Sequence, residues 1–236
     1  AGSASPWSEH RRKRSGSPGR ETVGVNLLTR AWFNENLTSR NFYVPGVIAV
    51  IVMLVTLLLT SMSVVREKEM GTMEQIVVTP ITPLEFILGK TMPSIILGFV
   101  NMIFVTLISV FWFDIPVRGS IPTLFVANGF YLMTTIGIGL IISTLSETQQ
   151  QAMMSTFFFY LPAVLLSGFM FPIANMPEIV QTVTYLNPLR YFLIIIRGIF
   201  LKGVGVAILW PQIVALLLLG ILVLTVAVKK FRKNLA

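Results

Sequence analysis

Two residue types that often build chemical sites are almost missing from this sequence of 236 residues, which has no cysteine and one histidine, His10. Without cysteine, disulfides and thiolate metal sites are excluded, and composition leaves the redox compartment open. His10 lies in a basic run at residues 10–14, which is typical of a solvated tail and not of a metal ligand. A phosphate-binding loop of the form G-x-x-x-x-G-K-[ST] is also missing, so the sequence predicts that this chain does not hydrolyse ATP alone.

Charged residues are scarce. Asp, Glu, Lys and Arg make up 12% of the sequence, hydrophobic residues make up 54%, and the mean hydropathy is +0.79. Five stretches contain no charged residue: residues 44–65, 91–113, 119–146, 148–177 and 203–228. Each exceeds the roughly 20 residues that a helix needs to cross a bilayer, where a helix satisfies its own backbone hydrogen bonds. The predicted fold class is an all-α polytopic membrane protein with five transmembrane helices.

The excess of positive charge, +8 at neutral pH, also fits a membrane protein. The lysines and arginines cluster at the ends of the apolar stretches and in the segments between them, where they flank a bilayer. The lipid bilayer is therefore the expected partner of this surface, and no nucleic-acid partner is expected.

Composition divides the chain into three segments. Residues 1–21 are rich in Ser, Gly, Pro and Arg and are predicted to form a disordered basic tail. Residues 22–43 mix polar and aromatic side chains, as an extracytoplasmic or interfacial segment does, and residues 44–236 form the predicted membrane domain. Because the first residue is Ala and no apolar signal-peptide region follows the basic run, we expect a fragment or a chain with a non-native start.

The polar segment at residues 66–90, between the first two apolar stretches, has an internal order. Read as a helix, it places four apolar side chains on one stripe, at Met70, Met73, Ile76 and Val77. Four charged side chains flank that stripe, at Glu67, Lys68, Glu69 and Glu74. A break at residues 79–82 and a capping box from Thr82 to Glu85 then start the next helix. The pattern predicts a short amphipathic helix that docks a water-soluble partner; the alternative is a solvated loop that only joins two helices.

A second unusual region, residues 175–200, is predicted to form two short helices that meet at Asn187-Pro188. The second of them, residues 189–200, is about 18 Å long as a helix, which is too short to span a bilayer. Arg190 and Arg197 lie two turns apart on one face, where both are expected to reach headgroups or water. The sequence therefore predicts a re-entrant or interfacial pair.

Several ordered motifs resemble the membrane subunits of type-2 ATP-binding-cassette exporters. The first is the run Arg-Glu-Lys-Glu-x-Gly-Thr-x-Glu-Gln at residues 66–75, followed by Thr79-Pro80, Pro83-Leu84-Glu85 and Gly89-Lys90. Further matches are Gln-Gln-Gln-Ala at 149–152, Ser-Gly-Phe-Met-Phe-Pro at 167–172, Asn-Met-Pro at 175–177, Asn-Pro-Leu-Arg-Tyr at 187–191 and Arg-Gly-Ile-Phe-Leu-Lys-Gly at 197–203. The resemblance runs from about residue 22 to the C-terminus and is greatest to bacterial multidrug-type permeases.

The resemblance implies a set of partners and sites. It implies a permease subunit in a bacterial inner membrane that moves a lipophilic or drug-like substrate outward, paired with a second copy or a close relative. ATP and Mg²⁺ would bind a separate ATP-binding subunit, and no catalytic residue, cofactor or metal is expected on this chain. The implied docking residues for that subunit are Arg66, Glu67, Glu69, Met70, Gly71, Thr72, Met73, Glu74 and Gln75. The implied outer gate is the helix pair on the outer side of the membrane and contains Asn187, Pro188, Arg190 and Arg197. The resemblance also implies that both arginines are accessible from outside.

The resemblance also bears on topology. Family members usually have six crossings, with a large extracytoplasmic domain between the first two, so this chain is expected to lack the first crossing and most of that domain. Without the basic tail at residues 1–21, the count of lysines and arginines on the two sides is nearly even and decides little. With that tail, the positive-inside rule favours the opposite orientation to the one that the resemblance implies. The resemblance places residues 66–90 and the C-terminus in the cytoplasm.

Three other functions each require particular residues in the sequence. An ion-coupled secondary transporter usually needs an ionisable group within the membrane, and none of the five apolar stretches contains a charged residue. A membrane-embedded enzyme needs converging acids, histidines or metal ligands, whereas the carboxylates here are scattered through the polar segments. A non-transporting anchor or sensor that recruits a cytoplasmic partner through residues 66–90 stays open.

Overall fold

The computed structural model describes residues 39–72, 83–115 and 117–235, and within these ranges the chain forms helices and turns without a strand. Seven α-helices occur there: α1 Ser39–Glu69, α2 Pro83–Phe111, α3 Ile121–Leu145, α4 Gln149–Leu165, α5 Glu178–Val183, α6 Pro188–Arg197 and α7 Val206–Leu235. The 3-10 turns Ile173–Asn175 and Thr184–Leu186 flank α5, and the π turn Gly198–Lys202 follows α6. The predicted all-α polytopic fold is confirmed.

In the part of the chain that the structure describes, four helices are long and apolar enough to cross a membrane: Tyr43–Glu69, Glu85–Phe111, Ile121–Leu145 and Val206–Phe231. The predicted crossing at residues 148–177 is shorter than expected, because α4 has only 17 residues. The chain leaves that helix after Leu165 and turns at Gly168, whose φ of +82° favours glycine. Glu178–Leu186 and Pro188–Lys202 meet at 85° and together form a further candidate for a span, as a broken crossing or a re-entrant loop.

The contacts define two ends of the helix bundle. At the junction end, Lys68 reaches Thr144, Glu69 reaches Gln149, and Phe86 stacks on Phe231. α4 therefore starts at the end where α1, α3 and α7 finish and where α2 begins.

The opposite end of the bundle, the bent-pair end, holds α5 and α6. There Tyr43 packs edge-on against Phe169, and Gly119 donates its N–H to the carbonyl of Ile199. Since α1 begins and α4 finishes at this end, α4 runs between the same two ends as the four longer helices. The predicted two short helices meeting at Asn187-Pro188 are also found here, and the last residues of α1 and the first residues of α2 lie at the other end of the bundle.

The centre of the bundle is α3, which packs against both α1 and α7. Tyr131 is fully buried, donates its hydroxyl to the Ala49 carbonyl at 3.0 Å and stacks on Phe192 with ring centroids 4.2 Å apart. Farther along, a Cβ at Gly139 would lie 2.8 Å from Cβ of Thr60, closer than ordinary side-chain contacts allow. Glycine at this position therefore lets α1 and α3 approach closely, as predicted for small residues between membrane helices.

The first helix is longer than predicted at both ends. It begins at Ser39, inside the segment that the sequence assigned to residues 22–43, and it continues past Val65 to Glu69, a length of 31 residues. Pro45 lies inside it near the bent-pair end, where Gly46 packs directly against the ring of Phe169. One uninterrupted helix thus runs from the bent-pair end, which holds residues 175–200, to the start of the polar segment at residue 66.

Candidate functional site

The predicted docking segment begins as the last turn of α1 and not as a helix of its own. Residues 66–69 continue α1, and Met70, Gly71 and Thr72 form a turn. Gly71 has φ of +70° and donates its N–H to the Lys68 carbonyl at 3.1 Å, which is the usual way for glycine to end a helix. This corrects the prediction of one helix across residues 66–75. The remaining docking candidates, Met73, Glu74 and Gln75, and the predicted break at residues 79–82 lie outside the described residues.

Gly71 also has a role within this chain. A Cβ at this position would meet nothing within 4 Å in the described part of the chain, so no packing contact there requires glycine. The left-handed backbone requires it, because residues with a Cβ adopt this conformation only at a cost in free energy.

Glu67 joins α1 to α2. Its carboxylate accepts a hydrogen bond from the ammonium of Lys90, which also makes it an ion pair, and another from the Thr72 hydroxyl at 2.5 Å. The Thr72 N–H donates to the Glu67 carbonyl as well, at 3.1 Å. Glu67, which the resemblance placed among the docking residues, therefore has its side-chain partners within this chain.

Lys68, which the sequence did not include among the site residues, binds the end of α3. Its Nζ donates to the carbonyl oxygens of Ser143 at 3.4 Å, Thr144 at 3.1 Å and Ser146 at 3.4 Å. The Ser143 and Thr144 carbonyls belong to the last turn of α3, and the Ser146 carbonyl follows directly at its C-cap. The C-terminal end of a helix has fewer N–H partners for its carbonyls and carries partial negative charge. A lysine in this place satisfies both requirements.

Glu69 binds the start of α4. Its Oε2 accepts hydrogen bonds from the Gln149 amide side chain at 2.7 Å and from the Gln149 backbone N–H at 3.3 Å. A carboxylate at a helix N-terminus is stabilised by the unpaired N–H groups and the positive end of the helix dipole. Consecutive residues Glu67, Lys68 and Glu69 thus contact α2, α3 and α4 in turn.

The other described candidates at the junction end face outward or line a cavity. Met70 is 55% exposed, and Arg66 is also exposed. Between α1 and α2 lies a cavity of about 1060 Å³ with an apolar wall that includes Leu59 and Met62. Arg66 and Lys90 also line it, so the cavity combines apolar surface with charged groups.

At the bent-pair end, Asn187 and Pro188 form the corner between α5 and α6. The Asn187 Oδ1 accepts from the Leu189 N–H at 3.1 Å and caps α6, while Pro188 is the first residue of that helix. The Asn187 amide group donates to the Ala163 carbonyl at 2.6 Å. This one side chain therefore both starts α6 and ties the corner to the end of α4.

Arg190 hydrogen-bonds within the bent pair. It donates to the Thr184 hydroxyl, and its guanidinium carbon lies 3.9 Å from the ring centroid of Tyr185. Arg197 instead reaches the turn after α4, donating to the carbonyls of Gly168 at 3.2 Å and Phe169 at 3.4 Å. Both side chains are half-buried. Their hydrogen bonds stabilise the bent-pair end, and their exposed parts remain open to solvent. Their labelling from outside the cell stays a prediction.

Comparison with known proteins gives a consistent result. The family model described as ABC-2 family transporter protein matches residues 15–229. "Probable multidrug ABC transporter permease YbhR" of Escherichia coli K12 is 36% identical over 208 residues, 88% of this chain and 56% of the relative. "Probable multidrug ABC transporter permease YbhS" of the same strain is 39% identical over 180 residues, 76% of this chain and 48% of the relative. "Inner membrane transport permease YhhJ" is 32% identical over 215 residues, 89% of this chain and 57% of the relative. The chain thus spans about half the length of these relatives.

Proposed function

The chain belongs to the ABC-2 family of transporter proteins, and on that basis we propose that it is the permease subunit of an exporter driven by a separate ATP-binding subunit. Its place would be a bacterial inner membrane, as a multi-pass protein paired with a second copy or a close relative. ATP and Mg²⁺ would act on the partner subunit. The observation that carries the proposal is the position of the exposed turn at Met70, directly after a helix whose last residues contact α2, α3 and α4.

The buried polar side chains support a permease without ion coupling. In the described ranges they are serine, threonine or asparagine, such as Thr56, Asn128 and Thr135. Proton or sodium coupling usually uses a carboxylate, histidine or similar group within the membrane. The energy source is therefore expected on another subunit.

The cavity between α1 and α2 supports a lipophilic or drug-like substrate. Its wall is formed mainly by apolar side chains, and its charged groups lie toward the junction end, near Glu67 and Lys90. An amphiphile that enters from the inner half of the bilayer would place its apolar part against the apolar wall and its polar part near the charged groups. The printed names of two relatives, both probable multidrug permeases, agree with that substrate class.

Docking of the ATP-binding subunit is expected to use the surface that begins at Met70, since Glu67 and Glu69 already have partners within the chain. Met70→Asp should lower the amount of copurified ATP-binding subunit by about tenfold or more, because a charge in place of an apolar anchor is costly in a desolvated interface. The measurement is a pull-down from detergent with a candidate ATP-binding subunit that is expressed together with this chain. Lys229→Asp, an exposed charge change at the same end of the bundle, is the matched control and should bind like wild type.

If Met70→Asp copurifies the ATP-binding subunit in the same amount as the wild-type chain, docking through this surface is contradicted. Transport is tested separately, by ATP-dependent accumulation of a fluorescent lipophilic dye in inside-out vesicles. Binding of the ATP-binding subunit without ATP-dependent transport of dyes or lipid analogues would instead favour the anchor or sensor.

Orientation has its own expected result. Because the chain contains no cysteine, single cysteines report cleanly. Ile179→Cys, at a position that is 81% exposed in the bent pair, should react in whole cells with a membrane-impermeant thiol reagent. Met70→Cys, at the other end of the bundle, should react only after the cells are opened. The reverse pattern would show that the bundle is inverted relative to the proposed exporter.

A further inference from the structure

Three consecutive residues at the end of α1 each contact a different helix. We propose that Glu67, Lys68 and Glu69 are positioning residues that transmit movement of the docking segment to α2, α3 and α4. Lys68 is central because it couples α1 to the turn between α3 and α4. The inference rests on the proposed docking of an ATP-binding subunit and names the residues through which docking acts on the bundle.

Lys68 is suited to hold a helix end without fixing one exact geometry. Its ammonium has three N–H donors, and three carbonyl oxygens, from Ser143, Thr144 and Ser146, lie 3.1–3.4 Å away. The side chain is half-buried, so the attraction between the ammonium and the negative end of α3 is screened less than on an open surface. α3 and the end of α1 are therefore expected to move together.

Glu69 adds a second connection on the far side of the same turn. It accepts two hydrogen bonds from Gln149, the first residue of α4, while Lys68 holds the last residues of α3. A cation at a helix C-terminus and a carboxylate at a helix N-terminus each match the local partial charge. Two residues of α1 with opposite charge, Lys68 and Glu69, thus hydrogen-bond to the residues on either side of the turn at residues 146–148.

The position of these contacts along the chain favours transmission over simple stabilisation. Glu69 is the last residue of α1, and the exposed Met70 follows it in the turn. A displacement of Met70 by a bound partner therefore reaches these contacts within one helical turn. Glu67 extends the same displacement to α2 through Lys90.

The test follows two distances in the assembled transporter by pulsed electron paramagnetic resonance. One spin-label pair, Gln150→Cys with Lys230→Cys, reports on the start of α4, and both positions are exposed. The other, Gly89→Cys with Lys230→Cys, reports on α2, where a Cβ at position 89 meets nothing within 4 Å. Both distances are measured without nucleotide and after trapping with ATP, Mg²⁺ and vanadate, and both should shift in the wild-type background.

Lys68→Met keeps the length of the stem and removes the donors. We expect it to abolish the nucleotide-dependent shift of the α4 pair while the α2 pair still shifts and the ATP-binding subunit still binds. Lys68→Arg should restore the α4 shift, and Lys229→Met, which removes an exposed cation at the same end, should change neither distance. A merely structural lysine would alter stability without this difference between the two pairs.

The outcomes separate the two proposals. An unchanged α4 shift in Lys68→Met, or no shift in the wild-type complex, would overturn transmission while docking stands. Absence of binding by the wild-type chain would overturn the proposed function, and with it this inference. If Lys68→Met does not fold, Lys68→Leu, which also removes the donors and the charge, takes its place. Failure of both to fold would assign the contact to stability alone and overturn the inference.

Discussion

Replacing Gly139 with leucine is expected to cause the largest loss of stability among the changes considered. An added Cβ alone would lie 2.8 Å from Cβ of Thr60 and 3.4 Å from the Leu57 carbonyl oxygen, so α1 and α3 would have to separate. Overpacking of this kind costs about 1–3 kcal/mol, and more where the backbone itself must move. Thermal unfolding in detergent, followed by size-exclusion chromatography of the heated protein, measures the effect.

The matched control is Gly129→Leu in the same helix. There the nearest atom to an added Cβ is the Phe99 ring carbon Cζ at 3.7 Å, which is an ordinary contact. Its unfolding temperature should stay close to that of wild type. Equal losses for both variants would show that leucine is harmful anywhere in α3 and that close approach at Gly139 is not the cause.

Asn187→Leu is expected to loosen the bent pair without unfolding the bundle. It removes the cap of α6, worth about 1 kcal/mol, and leaves the Ala163 carbonyl without its 2.6 Å hydrogen bond, at a cost of about 1–3 kcal/mol. Since 1.4 kcal/mol corresponds to a factor of ten, amide hydrogen exchange in residues 178–200 should become at least about tenfold faster. Exchange in the centre of α3 should not change.

A serine at the same position separates the two contributions. Asn187→Ser keeps an oxygen that caps α6 but is too short to reach Ala163, so an intermediate increase in exchange is expected. Exchange at wild-type rates in Asn187→Leu would mean that the corner is held by its neighbours, Arg190 and Arg197 among them, and not by Asn187.

Much of the fold is predictable because membranes impose simple rules on sequence. Long uncharged stretches must form helices that satisfy their own backbone, and the helices are found at or near each predicted stretch. The limits of helices are less predictable. The change from apolar to charged residues predicts that the first helix ends at Val65. In the structure α1 ends at Glu69, and Gly71 directly afterwards adopts a left-handed backbone conformation. Charge marks the edge of the hydrocarbon, and glycine marks the edge of the helix.

The bent pair illustrates what length and local chemistry reveal. A 12-residue apolar segment after Asn-Pro is too short to span, and the structure shows two short helices meeting at 85° at that dipeptide. The capping role of Asn187 follows from its place before Pro188, but its second hydrogen bond, to Ala163, does not. That contact depends on where α4 ends, which no local pattern gives.

The candidate site shows the same limit more strongly. Lys68 stands between two glutamates and was read as part of a charged face. Its partners are the carbonyls of residues 143–146, which carry no side-chain signal because every residue has a carbonyl group. A lysine near the end of one helix and the C-terminal end of another are each visible in sequence. Their meeting is a property of the packing.

The unbroken course of α1 has a mechanical consequence. A helix of 31 residues is about 46 Å long, and sharp bends in helices occur mainly where proline or an inserted group interrupts the hydrogen bonds. The one proline inside α1 is Pro45, close to its start, and directly beside it Gly46 is pressed against the ring of Phe169. α1 is therefore expected to move as one rigid body from Glu69 to Pro45 and to bend only near Pro45. A sideways displacement of Glu69 is then expected to rotate the helix about Pro45, next to its contact with Phe169, with little bending between these two points.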